Sequence, residues 1–114
     1  MRKATILIVE DEAIIAQDIR GTLIRLGYEV VGVTDMGQEA LRLAADLRPD
    51  LVLMDVRLKG SVDGFQAGRL IEQSGGSVVT YLTASPDAAR MAHSVQKPFS
   101  QATLAHAIES ALGR

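Results

Sequence analysis

The sequence predicts an α/β protein built on a parallel sheet, and three features carry that prediction. Short β-branched apolar runs alternate with segments whose apolar residues recur every three to four positions, the pattern of βαβ units. The runs are apolar at successive positions, as strands covered on both faces require. At 114 residues and 47% hydrophobic content the chain can fill one core without disulfides, so a single domain over 1–114 with no effector domain is expected.

The first strand is predicted at Thr5 to Val9, running into Asp11 and Glu12, acids suited to the first turn of a helix whose positive end favours them. That helix extends to about Leu26. Ile15, Ile19, Leu23 and Leu26 give it one buried face, and Gly27 stops it. A second strand covers Glu29 to Val33, Asp35 to Gly37 form a turn and cap, and a short helix runs from Gln38 to Leu47 ahead of Pro49. Leu51 to Met54 make a fully apolar third strand that ends at Asp55. Gly60, Ser61 and Gly64 mark a loop, Phe65 to Gln73 a third helix, and Val78 to Leu82 a fourth strand ending at Thr83. The last helix is placed at Gln101 to Leu112, with Leu104, Ile108, Ala111 and Leu112 on one side.

Composition narrows the function. There is no cysteine, which removes disulfides, thiolate metal sites and thiol redox chemistry and suits a reducing cytoplasm. The apolar start stops at Val9 and is followed by three acids, which fits neither a signal peptide nor a membrane span, so a cytoplasmic protein is expected. A formal charge of −2 with scattered basic residues gives no electrostatic footprint for nucleic acid.

Ligands of open α/β sheets bind beyond the carboxyl ends of the strands, and the polar residues of this chain collect there. Glu10 and Asp11 follow the first strand, Asp55 the third and Thr83 the fourth, while Lys97 lies in the last connection. Three carboxylates brought together repel, raising the pKa of at least one, unless a cation neutralises them. Mg²⁺ suits the task, because it takes oxygen ligands and is satisfied by one or two carboxylates, a carbonyl and a phosphate oxygen. Asp55 could then bind metal through one oxygen and act as a nucleophile through the other. Lys97 would neutralise phosphoryl oxygens and the Thr83 hydroxyl would donate to them. Taken singly, each residue has a plainer reading: acids start helices, threonines end strands and lysines sit in solvent. The set points to phosphoryl chemistry. His93 and His106 have no ligand-spaced partners and receive no role.

Four motifs in order, ILIVEDE at 6–12, LVLMDVRLKGSVDG at 51–64, YLTAS at 81–85 and KPF at 97–99, resemble the receiver domain of two-component response regulators over nearly the whole chain. The resemblance implies a flavodoxin-like, doubly wound five-stranded sheet in the order 2-1-3-4-5. It also implies Asp55 as phosphoacceptor, Glu10 and Asp11 as metal acids, the Arg57 backbone carbonyl as a further ligand, Thr83 as switch hydroxyl and Lys97 as phosphate-binding cation. A histidine kinase or phosphotransfer protein would be the phosphoryl donor, and the bond before Pro98 would be cis.

The match departs from the family in two places. An aromatic usually stands three residues before the lysine, and here Ser94 does; Tyr81, inside the fourth strand, is not an obvious substitute. Only thirteen residues separate Thr83 from Lys97, so with His93 to Gln96 as fifth strand the fourth helix is expected to be short or absent, with Pro86 opening a single turn through Asp87 to Met91.

The leading expectation is therefore a signalling module read by an unidentified downstream protein or by self-association into a homodimer. Two alternatives stand beside it. One is a receiver-like interaction module that no longer switches. The other is a haloacid-dehalogenase-type phosphohydrolase, which needs an acid two residues after its nucleophile, where this chain has Arg57. A flavodoxin-like nucleotide binder is weaker, since acids in the first loop repel phosphate.

Overall fold

The computed structural model describes residues 3–58, 60–85 and 93–114. Among the described residues nine elements follow one another: β1 (Thr5–Val9), α1 (Ala13–Arg25), β2 (Glu29–Thr34), α2 (Gly37–Leu47), β3 (Leu51–Asp55), α3 (Gly64–Ser74), β4 (Val78–Thr83), β5 (Ser94–Gln96) and α4 (Gln101–Ala111). Every strand pair is parallel and the order is β2-β1-β3-β4-β5, the doubly wound flavodoxin-like topology. The turn expected from Pro86 through Asp87 to Met91, and with it the short or absent fourth helix, lies outside the described residues.

Because successive strand residues point to opposite faces, the apolar runs feed two cores. Ile6, Ile8, Leu51, Leu53 and Leu82 pack against Ile19 and Leu23 of α1 and Leu104 and Ile108 of α4. Leu7, Val9, Val52, Met54, Val79 and Tyr81 pack against Ala40, Ala44, Ala67 and Ile71 of α2 and α3. This is why β1, β3 and β4 read as continuous apolar runs: both of their faces are buried, while β2 and β5 at the sheet edges stay partly exposed.

Two predicted boundaries move for a physical reason. Helix α1 begins at Ala13 with Glu12 as its N-cap, so Asp11 and Glu12 are not first-turn residues. The Glu12 N–H is instead held at 3.1 Å by the Glu10 carboxylate, which bends the chain away from β1 before the helix can start. The fifth strand is three residues long, Ser94 to Gln96, because His93 sits at φ +56, a left-handed conformation that cannot continue a strand. The other helices start as their sequences suggest. Asp63 caps α3 by accepting from the Gln66 N–H at 2.8 Å, and Ser100 caps α4 by accepting from the Thr103 N–H at 3.0 Å.

The register places the strand ends side by side. At the opposite edge Asp50 accepts from the Thr5 N–H at 2.8 Å while the Asp50 N–H donates to Thr5 Oγ1 at 3.0 Å, locking β1 to β3. With that lock, Val9 pairs with Met54, Asp55 with Leu82, and Thr83 with Gln96. Glu10, Asp55, Thr83 and Lys97 consequently emerge at one edge of the sheet.

Candidate phosphoryl and metal site

Asp55 is the last residue of β3 and is only 4% exposed; Glu10, one residue beyond β1, is 2% exposed. A carboxylate oxygen from each of Glu10, Asp11 and Asp55 lies within 4.8 Å of the other two. Lys97 closes the group from the last connection. Its Nζ donates to Glu10 Oε1 at 2.6 Å and stands 3.4 Å from Asp55 Oδ2. The Lys97–Pro98 bond is cis, as the resemblance implied.

Backbone contacts fix Asp55 from below. The Arg57 N–H donates to Asp55 Oδ1 at 3.1 Å, the Val56 N–H to the Leu82 carbonyl at 3.1 Å, and the Gly64 N–H to the Val56 carbonyl at 3.2 Å. A Cβ at Gly64 would overlap the Asp55 carbonyl and lie 2.6 Å from Val56 Cα, so the first turn of α3 rests directly on the Asp55 backbone. The Arg57 side chain is exposed. Thr83 is 1% exposed; its Oγ1 accepts from the Ser85 N–H at 3.0 Å and its carbonyl accepts from the Lys97 N–H at 2.6 Å. His93 and His106 are both at the surface, away from this group's buried acids.

Burial, with the hydrogen bond and charge of Glu10 next to it, pushes Asp55 up to about 7, while the Arg57 N–H and Lys97 pull the other way. Burial also works to raise Glu10, but the hydrogen bonds shared with Asp55, Lys97 and the Glu12 N–H outweigh it and leave Glu10 below the usual carboxylate range. Burial lowers Lys97, and its pairing with Glu10 and Asp55 wins, holding it above the usual ammonium value. The expected mutual repulsion of the acids is thus present, and it falls on Asp55.

Three acids set against one ammonium leave excess negative charge among oxygen donors, with no nitrogen or sulfur ligand in the group. That donor chemistry fits a hard divalent cation such as Mg²⁺.

The charge balance has a consequence for stability. Asp55 carries a folded-state pKa of about 7 against an ordinary value of 3.8, so the folded protein holds its proton more tightly than the unfolded chain. The stability linked to that proton is fully present below the ordinary value and is lost as pH rises to about 7. In Mg²⁺-free buffer Asp55→Asn should therefore gain over the parent protein as pH rises through that window, reaching about 2 kcal/mol at pH 8. Urea midpoints at pH 5 and pH 8 check this; equal gains at both would refute it.

A family model described as the response regulator receiver domain matches residues 6–109. The chain belongs to this family. Among curated proteins the receiver is similar to the transcriptional regulatory protein PdtaR of Mycobacterium tuberculosis H37Rv, 42% identical over 96% of this chain. The aligned part covers 57% of PdtaR, so the chain spans little more than half the length of that relative. Among solved structures, the signal receiver domain of a modulated diguanylate cyclase from Desulfovibrio desulfuricans superposes with a TM-score of 0.89 at 33% identity, covering 98% of this chain and 95% of that one. The receiver domain of sensor histidine kinase PA1611 from Pseudomonas aeruginosa, described with a magnesium ion coordinated in its active-site cleft, gives a TM-score of 0.86 at 31% identity over 99% and 100% of the two chains. The family match over these residues is to a receiver domain and not to a haloacid-dehalogenase-type phosphohydrolase. Among the described residues no helix is long and apolar enough to cross a membrane.

Three features escaped the sequence reading. The short Lys97–Glu10 pair is one of them, because sequence pattern points Lys97 at phosphoryl oxygens and says nothing of a partner acid. The contact of Gly64 with the Asp55 backbone depends on how α3 returns to the sheet, although a glycine directly after a capping aspartate is a hint. Tyr81 also proves to be the cross-strand partner of Ser94, a relation that only the β4–β5 register reveals.

Proposed function

We propose that this receiver accepts a phosphoryl group on Asp55 in a Mg²⁺-dependent reaction and passes the signal on by a change in its surface. The observation that carries the reading is a buried carboxylate, that of Asp55, 3.4 Å from a lysine and among two further acids, at the carboxyl end of a parallel sheet.

Glu10, Asp11 and Asp55 would hold the metal, with the Arg57 backbone carbonyl as a further ligand. When bound, Mg²⁺ supplies positive charge that offsets the phosphoryl oxygens against the acids. The chain's own residues do the rest. An Asp55 oxygen attacks the phosphorus of a phosphohistidine or a small acyl phosphate, a P–O bond forms to Asp55, and the bond to the donor nitrogen or oxygen breaks with its electron pair leaving on the donor. Lys97 then transfers its pairing from the acids to the phosphoryl oxygens, and the Thr83 hydroxyl donates to one of them. The donor would be a histidine kinase or phosphotransfer protein, since receivers take phosphoryl groups from histidine kinases. Output would reach an unidentified downstream protein or a second copy of the chain.

Incubation with Mg²⁺ and acetyl phosphate, followed by intact-mass measurement, tests the reading. A single alkali-labile phosphate adduct that needs Mg²⁺ and is missing from Asp55→Asn supports it; an adduct of equal yield in Asp55→Asn rejects it. The second reading, an interaction module that no longer switches, draws on Ser94 in place of the family's aromatic. Phosphate incorporation with no conformational response would select that reading.

A further inference from the structure

We infer that Tyr81 is a positioning residue that couples phosphorylation of Asp55 to helix α3, so that the switch of this chain runs along β4 instead of through position 94. The inference rests on the phosphoacceptor reading given above and extends it.

Four observations place Tyr81 in that role. In the β4–β5 register Tyr81 pairs with Ser94, and residues paired across neighbouring strands project from the same face. A ring thus stands on β4, one strand inward of position 94, beside a serine that carries no ring to compete for the space. Second, the ring is confined. Tyr81 is 5% exposed, its ring centroid stands 5.2 Å from that of Phe65 at a 39° tilt, and a Cβ on Gly68 would lie 2.6 Å from its Cε1. Only a glycine at that point of α3 leaves the slot that the ring fills. Third, Thr83 lies two residues further along the same strand, on the same face. Fourth, Thr83 is tied to its surroundings: its carbonyl accepts from the Lys97 N–H and its Oγ1 from the Ser85 N–H.

Drawing the Thr83 hydroxyl toward a phosphoryl oxygen on Asp55 therefore pulls on the end of β4 and not on a free side chain. Tyr81 moves with that strand, and its ring bears on Phe65 and on the backbone of α3 at Gly68. Close-packed interiors pass such displacements on, because a ring held on several sides cannot shift without its neighbours. The end point is α3, which carries a half-exposed Leu70 next to Phe65, Gln66 and Arg69 along its outer side.

Aromatic NMR of the whole chain tests the coupling, with Mg²⁺ and fluoroberyllate as the phosphoryl mimic. Fluorine signals that appear in the parent protein and are absent from Asp55→Asn report the mimic bound at Asp55, and ring signals report the response. The protein has two tyrosines, so a Tyr28→Phe spectrum assigns the Tyr81 ring, while in the parent protein Tyr28, hydrogen-bonded to Glu109, serves as internal reference. Bound fluoride should be accompanied by shifts of the Tyr81 and Phe65 rings and none of Tyr28. Tyr81→Leu should bind the mimic yet lose the Phe65 shift, and Tyr81→Phe should restore it. Bound mimic with an unmoved Tyr81 ring, or a Phe65 shift that survives Tyr81→Leu, overturns the coupling alone. No bound fluoride at saturating mimic and Mg²⁺ overturns the phosphoacceptor reading and this inference with it.

Discussion

Lys97→Met is expected to slow phosphoryl incorporation about a hundredfold while making Mg²⁺ bind more tightly, an opposition of sign that few other substitutions would produce. In the proposed reaction the lysine would serve two sets of oxygens in turn. Without a phosphoryl group, its Nζ sits 2.6 Å from Glu10 Oε1 and 3.4 Å from Asp55 Oδ2, so it neutralises the same acids that a cation would use. Its side chain is 17% exposed against 0% for Glu10, so the pair is largely shielded from water. Removing the lysine leaves buried carboxylates without their partner, which destabilises the metal-free protein by about 2 kcal/mol, the loss being limited because Asp55 can keep a proton. Mg²⁺ then meets acids with one positive charge fewer beside them, and its affinity should rise by about tenfold, equivalent to ~1.4 kcal/mol. Thermal melts with and without Mg²⁺ separate these effects: the Mg²⁺-induced increase in Tm should be larger in Lys97→Met than in the parent protein. A smaller increase would mean that Lys97 supports the metal site instead of competing with it.

The second large effect is structural. Gly64→Ala should cost about 3 kcal/mol, at the upper end for an added methyl, because the new Cβ meets backbone and not a side chain that can turn away. Its nearest neighbours are the Asp55 carbonyl and Val56 Cα, the latter at 2.6 Å. Relief requires α3 to lift from β3 or Asp55 to tilt, so the surviving folded protein should also accept phosphoryl groups more slowly. Gly21→Ala provides the contrast. That glycine lies inside α1, where a Cβ would meet only the flexible end of Arg25 at 3.3 Å, and the substitution should stabilise by about 0.5–1 kcal/mol through helix propensity. Urea denaturation of both variants decides the matter, and similar midpoints would show that α3 does not press on the end of β3 as described.

Much of this architecture was readable from the chain because period and polarity agree along it. Strands such as Leu51–Asp55, apolar at four successive positions and then abruptly acidic, announce both a doubly covered strand and an acid at its carboxyl end. The helices were legible from Ile19 and Leu23 or Leu104 and Ile108, spaced by four and buried as expected. Less legible were features set by register and by competition between partners. Asp11 and Glu12 resemble first-turn acids in composition, yet Glu10 holds the Glu12 N–H and the helix waits until Ala13. Tyr81, inside the fourth strand, is no obvious substitute for an aromatic at position 94 by sequence, yet parallel pairing sets it beside Ser94. The allegiance of Lys97 to Glu10 could not be read from sequence either, because it depends on which acid is nearer in space, and local patterns do not encode that distance.

The central claim is that one particular carboxylate, Asp55, carries the phosphoryl group. Borohydride reduction converts an aspartyl phosphate to homoserine, so reduction after treatment with Mg²⁺ and acetyl phosphate, followed by peptide mass mapping, reads the acceptor directly. Homoserine is expected at position 55, dependent on Mg²⁺ and reduced in Lys97→Met. Homoserine at position 11 or another acid, with position 55 unchanged, would contradict it.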